Sequence, residues 1–361
     1  MPEDIELFVP GRLCLFGEHS DWAGGHRRQN SDIGKGYAIV APTNQGNYAR
    51  AKPIPEKKLI YKSVAFSSPL EINLNDKELL KFAEGEEKLR YVAGVAYEIL
   101  VNHNGHNKKL SINGRSHGIE IDNYKTDLPM KKGLSSSASA CVLVAKAFKE
   151  VYNLPLSARG LMNLAYNGET NTRSRCGRLD QACAYPHPIL MTFDADKIQI
   201  EEIKPNNPLY FVIVDLKSKK DTIRIIAELN KGFPFPTTDS EKRKHEYLGR
   251  INADLVSRAL ESIIQGNSKK IGDLMTEAQG KFDEYLSPFC PEELTSPKLH
   301  KVLSYPPIQS FIYGGKGVGS QGDGCAQLIA RDNSSQMSLI ETLNSDTELN
   351  VRAIPLTMHA D

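Results

Sequence analysis

The sequence predicts a mixed α+β fold in two parts, and three observations carry that prediction. Strand-like segments come first, a block of helix-like segments follows, and strands return towards the far end, an order that argues against a regular doubly wound sheet. The 361 residues are long for one core and suit two domains. Lys204-Pro-Asn-Asn-Pro208 gathers turn formers between apolar runs and is the best boundary, giving domains over 1–204 and 205–361.

Taken in order, 7–16 and 36–52 read as strands, the second ending near Lys52-Pro53. Leu89, Val92, Val95, Ala96 and Ile99 recur at helical spacing, so a helix is expected over 86–101. The 110–121 stretch suits one or two short strands, and 140–152 and 157–169 suit helices. Pro186 and Pro188 interrupt any strand before 189–193. Residues 210–215 read as a buried strand, helices are expected over 241–266 and 268–285, and 326–330 reads as a strand.

Composition excludes several function classes. A formal charge of +1 with 25% charged residues supplies no basic field for nucleic acid and no electrostatic membrane attachment. No apolar run approaches a bilayer span, and no secretory apolar segment opens the chain. Cysteines 14, 141, 176, 183, 290 and 325 contain no C-x-x-C pair, so reduced thiols in a cytoplasmic protein are expected. Cys183 and His187 fall short of a zinc set, and His103 and His106 read as a polar turn. Nothing here indicates an oligomeric state.

Gly11-Arg-Leu-Cys-Leu-Phe-Gly-Glu-His-Ser-Asp-Trp-Ala-Gly-Gly25 is the most informative segment. Leu13, Leu15 and Phe16 predict a short buried strand, and Glu18, His19 and Asp21 emerge at its end. Three hydrogen-bonding groups in four positions suit a polyhydroxylated ligand, each of whose hydroxyls needs a directional partner once dry. A solvated acidic turn before Gly24-Gly25 is the other reading. The segment resembles the galactokinase signature G-R-x-N-(L/V)-I-G-E-H-x-D-Y, within the superfamily of galactokinase, homoserine, mevalonate and phosphomevalonate (GHMP) kinases. Cys14 stands where galactokinases carry Asn, and Trp22 where they carry Tyr. The resemblance implies that Glu18, His19 and Asp21 hold sugar hydroxyls and that Arg12 sits beside the reacting oxygen.

A second motif is Leu128-Pro-Met-Lys-Lys-Gly-Leu-Ser-Ser-Ser-Ala-Ser139. Its small residues let backbone amides approach an anion, and the helical composition that follows puts the serines at a helix N-terminus, where amides and dipole favour phosphate. It is not a Walker A loop, and a serine-rich capping loop is the competing reading. It resembles the P-x-x-x-G-L-(G/S)-S-S-A loop of the same superfamily. That match implies ATP binding by Gly133, Leu134, Ser135, Ser136, Ser137 and Ala138, with Ser137 on a magnesium ion. Lys131 and Lys132 read as solvated.

A third element joins Gly168-Glu169 to Arg175-Cys-Gly-Arg-Leu-Asp180-Gln181, with a break at Cys176-Gly177 and Asp180 in a first helical turn. A helix cap or surface ion pair is the ordinary role for such an Asp. The match to galactokinase C-G-x-x-D-Q implies that Asp180 is the catalytic base and places Gly177 at the substrate, and the spacing from Glu169 resembles the interval between metal-binding Glu and base in mevalonate kinases. Tyr313-Gly-Gly-Lys-Gly-Val-Gly-Ser-Gln-Gly-Asp-Gly-Cys325 sits where the family has a shorter glycine-rich loop. A mobile lid and a hairpin turn are both open for it, as are the roles of Lys316, Gln321 and Asp323.

By resemblance the architecture is a GHMP kinase fold, with an N-terminal domain like the second domain of ribosomal protein S5 and a ferredoxin-like C-terminal domain. The implied activity is ATP- and Mg2+-dependent phosphorylation of a free monosaccharide at its anomeric hydroxyl, with Asp180 as base. Kinases of the heptose phosphate, mevalonate or homoserine type remain open, and Lys217-Ser-Lys-Lys-Asp-Thr222 resembles the mevalonate and heptose kinase branches. A sugar and ATP sensor is a further alternative, although such relatives typically lose part of the serine loop or the base. Arg27, Arg28 and Lys35 suit either an acidic sugar or a solvated loop.

Overall fold

The computed structural model describes residues 4–104, 110–112, 115–128, 134–172 and 176–360. The chain forms two compact units, each assembled from two stretches: 1–12 with 45–186, and 13–44 with 187–361.

In the first unit Lys58–Ser63 pairs antiparallel with Leu70–Asn73 and parallel with Gly118–Thr126. The latter pairs antiparallel with 47–54, the second half of the Gly36–Ile54 strand. Alternation along Gly118–Thr126 turns Ile119, Ile121 and Asn123 inward. Leu79 of Asp76–Ala83, Val92 of Arg90–Asn104, Leu143 of Ser136–Tyr152 and Leu161 of Ala158–Thr170 share that core with Ile119 and Ile121. Ser136–Tyr152 is rich in Ala and Val, with Cys141, Leu143 and Phe148 among them, and is accordingly buried over most of its surface. Arg90–Asn104 and Ala158–Thr170 meet at glycines. A Cβ on Gly94 would lie 2.1 Å from the Gly168 carbonyl oxygen, and one on Gly168 would lie 2.5 Å from the Val95 Cα. That approach needs two residues without side chains, and it fixes the backbone next to Glu169.

In the second unit a four-stranded antiparallel sheet runs Ile312–Gly317, Cys325–Ala330, Leu209–Asp215, Arg352–Met358. Phe211 lies opposite Ile329 on one side and Leu356 on the other. Val212, Val214 and Leu328 pack with Leu299 and Val302 of Pro297–Leu303 and with Leu339 and Leu343 of Asn333–Ser345. Residues 36–40 pair with Ile189–Asp194, which forms a hairpin with Lys197–Glu202. The helix expected over 241–266 is present but interrupted: Asp239–Glu246 passes through a wider π turn at Tyr247–Ile251 into Asn252–Ile264. Residues 318–324 form the turn of the Ile312–Gly317 and Cys325–Ala330 hairpin, with Val318 and Gln321 buried, so the hairpin reading of the glycine-rich segment is the one found.

Candidate active site

The first strand, Ile5–Phe16, delivers Arg12 in a buried position, and its backbone N–H donates to the Leu134 carbonyl at 3.2 Å. The strand is thereby tied to the serine loop. The Arg12 guanidinium pairs with Asp180 Oδ1, and Ser135 Oγ donates to the same oxygen at 2.7 Å. Ser135 is in the left-handed region (φ 56°) just before the helix Ser136–Tyr152, which directs its hydroxyl at the carboxylate. Asp180 opens the short 3-10 helix Asp180–Ala184, and its backbone N–H reaches the Gly177 carbonyl at 3.4 Å.

Glu169 sits near the end of Ala158–Thr170 with 4% of its surface exposed. It accepts a hydrogen bond from Gln181 Nε2 at 2.9 Å, and the nearby Ser137 and Cys176 side chains favour its charged form. Burial first, and then the neighbouring Asp180 charge, lift its carboxyl from 4.5 to about 7. Gln181 Oε1 is buried without a partner among the described residues. A buried carboxylate beside a second carboxylate that Arg12 already pairs, with a hydroxyl and an amide oxygen at hand, is a hard-oxygen donor set of the kind a magnesium ion takes.

Inside the first unit Arg12, Ser135 and Asp180 are joined by hydrogen bonds, and Glu169, with Ser137 near it, feels the Asp180 charge. Leu134 contributes its backbone, its side chain being buried, while Ser136 is half-buried, Ser137 exposed and Ala138 buried. Gly133, Lys131, Lys132 and Arg175 lie outside the described residues.

The second unit holds Glu18, His19 and Asp21. Gly17 (φ 90°) makes the turn out of the first strand, where a Cβ would fall 2.0 Å from the Tyr37 carbonyl oxygen. Glu18 is buried and paired with Lys316 of Ile312–Gly317, whose Nζ also donates to the Gly317 carbonyl at 3.0 Å. Asn252 Nδ2 donates to Ser20 Oγ at 2.9 Å, and Gln327 Nε2 donates to the Cys14 carbonyl at 2.9 Å, which anchors both ends of the turn. His19 Nδ1 accepts from Trp22 Nε1 at 3.0 Å. Burial, then the charges of Lys220 and Lys316, depress the His19 imidazole to about 3, so the ring is neutral. Asp21 lies half-buried in the first turn of Ser20–Gly25.

Several residues escaped the sequence reading. Lys316 stood out only as a lysine among glycines, and Gln327 only as an amide inside the apolar run 326–330. Gln181 was part of a motif, but its grip on Glu169 was not foreseen. Arg27 and Lys35 both hold Asp194, at 2.7 and 3.0 Å, and Arg28 holds Asp196 at 3.1 Å. These three cations have structural partners, which favours the loop reading. Asp323 accepts from the backbone of Lys298 and Leu299 and caps Pro297–Leu303.

Residues 90–186 match the family described as GHMP kinases N terminal domain. The galactokinase of Lactococcus lactis subsp. lactis is 24% identical over 375 residues, 92% of this chain and 85% of that protein. The galactokinase of Ligilactobacillus salivarius is 27% identical over 168 residues, which span 46% of this chain and only 37% of that protein's length. Among solved structures, Lactococcus lactis galactokinase complexed with galactose superposes with a TM-score of 0.74 at 18% identity, covering 99% and 94% of the two chains. Methanococcus jannaschii mevalonate kinase gives 0.73 at 19% identity, covering 100% and 99%. These superpositions establish the fold and do not separate sugar from mevalonate. Residues 90–186 thus carry a GHMP kinases N terminal domain, on a chain that shares the fold of these kinases.

Proposed function

We propose that this protein is an ATP-dependent sugar kinase that transfers the γ-phosphate to the anomeric hydroxyl of a free monosaccharide, yielding a sugar 1-phosphate. The observation that carries the proposal is the Asp180 carboxylate, held by the Arg12 guanidinium and the Ser135 hydroxyl beside buried Glu169. Phosphoryl transfer needs positioned groups and neutralised phosphate charge more than covalent help. Asp180 accepts the proton of the attacking hydroxyl, and Arg12 orients that carboxylate and balances charge on the reacting oxygens. Glu18, His19 and Asp21 bind sugar hydroxyls, and Gly177 lies next to the substrate.

The triphosphate is bound by amides at the start of Ser136–Tyr152 and by the loop from Gly133 to Ala138. Ser137 and Glu169 would hold Mg2+, which supplies neutralising charge to the phosphates. The galactokinase-like first motif and the galactokinase relatives support a sugar rather than mevalonate or homoserine. Retention of Ser135, Ser136, Ser137, Glu169 and Asp180 supports turnover rather than sensing. The test is ADP release with Mg-ATP across free sugars, uronates, mevalonate and homoserine. Release with one or a few free sugars is expected. Release only with mevalonate or homoserine contradicts the sugar assignment, and binding of sugar without release supports a sensor.

A further inference from the structure

The indole of Trp22 has a single polar group, an N–H that only donates. It lies 3.0 Å from His19 Nδ1, with the rings edge-on at 5.8 Å and 73°. Trp22 is held between Phe233 (5.2 Å, 81°) and His26 (6.2 Å, 85°), and His19 stacks on Phe282 at 6.2 Å. Neither ring is free to turn away. A nitrogen that accepts from an N–H carries no proton of its own, so the proton of the neutral imidazole sits on Nε2. Nε2 is buried in a residue only 7% exposed and has no hydrogen-bond partner among the described residues, although the Ser320 backbone favours a proton on the ring.

We propose that Trp22 locks His19 in the Nε2–H form, so that the ring offers the substrate one fixed donor and selects an oxygen acceptor over an ammonium group. That selection rests on the sugar-kinase reading above, whereas the locked tautomer does not. The surroundings agree with a ring that stays neutral: burial, Lys220 and Lys316 all oppose a second proton, which on Nδ1 would also face the indole N–H head-on. A tyrosine at position 22, the galactokinase residue, has a hydroxyl that donates or accepts and leaves both tautomers open. Trp22 is thus a positioning residue that acts on substrate through His19.

The chain contains one tryptophan, so its indole nitrogen is unambiguous in an NMR spectrum. In uniformly 15N-labelled protein, magnetisation transfer across N–H···N hydrogen bonds should correlate that nitrogen with one imidazole nitrogen. Long-range proton–nitrogen correlations should show the same ring protonated only at its other nitrogen. Absence of the correlation, or a proton on the bonded nitrogen, overturns the lock. In Trp22→Phe the ring should lose its single-tautomer signature. KM for the accepted sugar should then rise roughly threefold to tenfold, the size of one net hydrogen bond, with a smaller change in kcat. Preference for the sugar over its amino analogue should narrow. A Trp22→Phe protein with the same tautomer and the same KM overturns the proposal. If no sugar is phosphorylated, the functional reading fails while the cross-hydrogen-bond correlation still decides the lock.

Discussion

Replacing Lys316 by methionine keeps most of the side-chain volume and removes one charge. Its ammonium has 2% of its side-chain surface exposed and pairs with Glu18 at 8%, so water can solvate neither ion. Removing one partner of a buried pair costs about 3–5 kcal/mol, because the remaining charge keeps its desolvation penalty. The lost donation to the Gly317 carbonyl adds little, since Gln321 and Gln327 also reach that oxygen at 3.4 and 3.5 Å. A domain of 150–250 residues shifts by about 2–4 °C per kcal/mol, so the melting midpoint should fall by roughly 10 °C. The assay is a thermal double-mutant cycle over Lys316→Met, Glu18→Gln and the pair. The double variant should be more stable than Lys316→Met alone, because an amide needs no counter-ion. A midpoint within 2 °C of the parent, or single effects that simply add, would refute the buried-pair argument.

Asp180→Asn should lower turnover by roughly 10²–10⁴, the range for loss of a general base, with sugar affinity changed far less; near-parental turnover in steady-state kinetics removes Asp180 from that role. Glu169→Gln should raise the magnesium concentration needed for half-maximal rate, and an unchanged magnesium titration counts against metal ligation. The same variant tests a pH effect. The Glu169 carboxyl is raised from 4.5 to about 7 in the fold, so its contribution to stability is fully present below pH 4.5 and is lost as pH rises through 7. In chelator-treated protein that swing is worth about 3 kcal/mol in urea unfolding, and Glu169→Gln should flatten it. Gly168→Ala should destabilise by roughly 1–3 kcal/mol or more and lower kcat, because its Cβ meets Val95 backbone at 2.5 Å beside Glu169; a melting midpoint and kcat equal to the parent's would show that the helices can part.

The local features of the fold were legible because their causes are local. Helical spacing from Leu89 to Ile99 and the apolar run after Ser139 marked two helices, and the structure puts Ser135 and Ser136 at the N-terminus of the second. The π turn at Tyr247–Ile251 left no trace in the periodicity, since it adds a fraction of a turn without changing residue types. At the site, Arg12, Glu169 and Asp180 were found through motifs, and their convergence needed coordinates. Partners far apart in sequence escaped. Lys316 and Glu18 are 298 positions apart, and no local pattern says that a lysine in a glycine-rich hairpin will be buried against an acid. The Trp22 to His19 bond spans three positions, yet it depends on a left-handed His19 (φ 67°) that sequence does not announce.

Product analysis by 31P NMR tests the central claim most directly. Incubation with Mg-ATP and the sugar that releases most ADP should give a phosphomonoester whose phosphorus couples to the anomeric proton, and in Asp180→Asn that signal should grow roughly 10²–10⁴ times more slowly. A phosphorus coupled instead to a different carbinol proton, or transfer confined to mevalonate or homoserine, would contradict it.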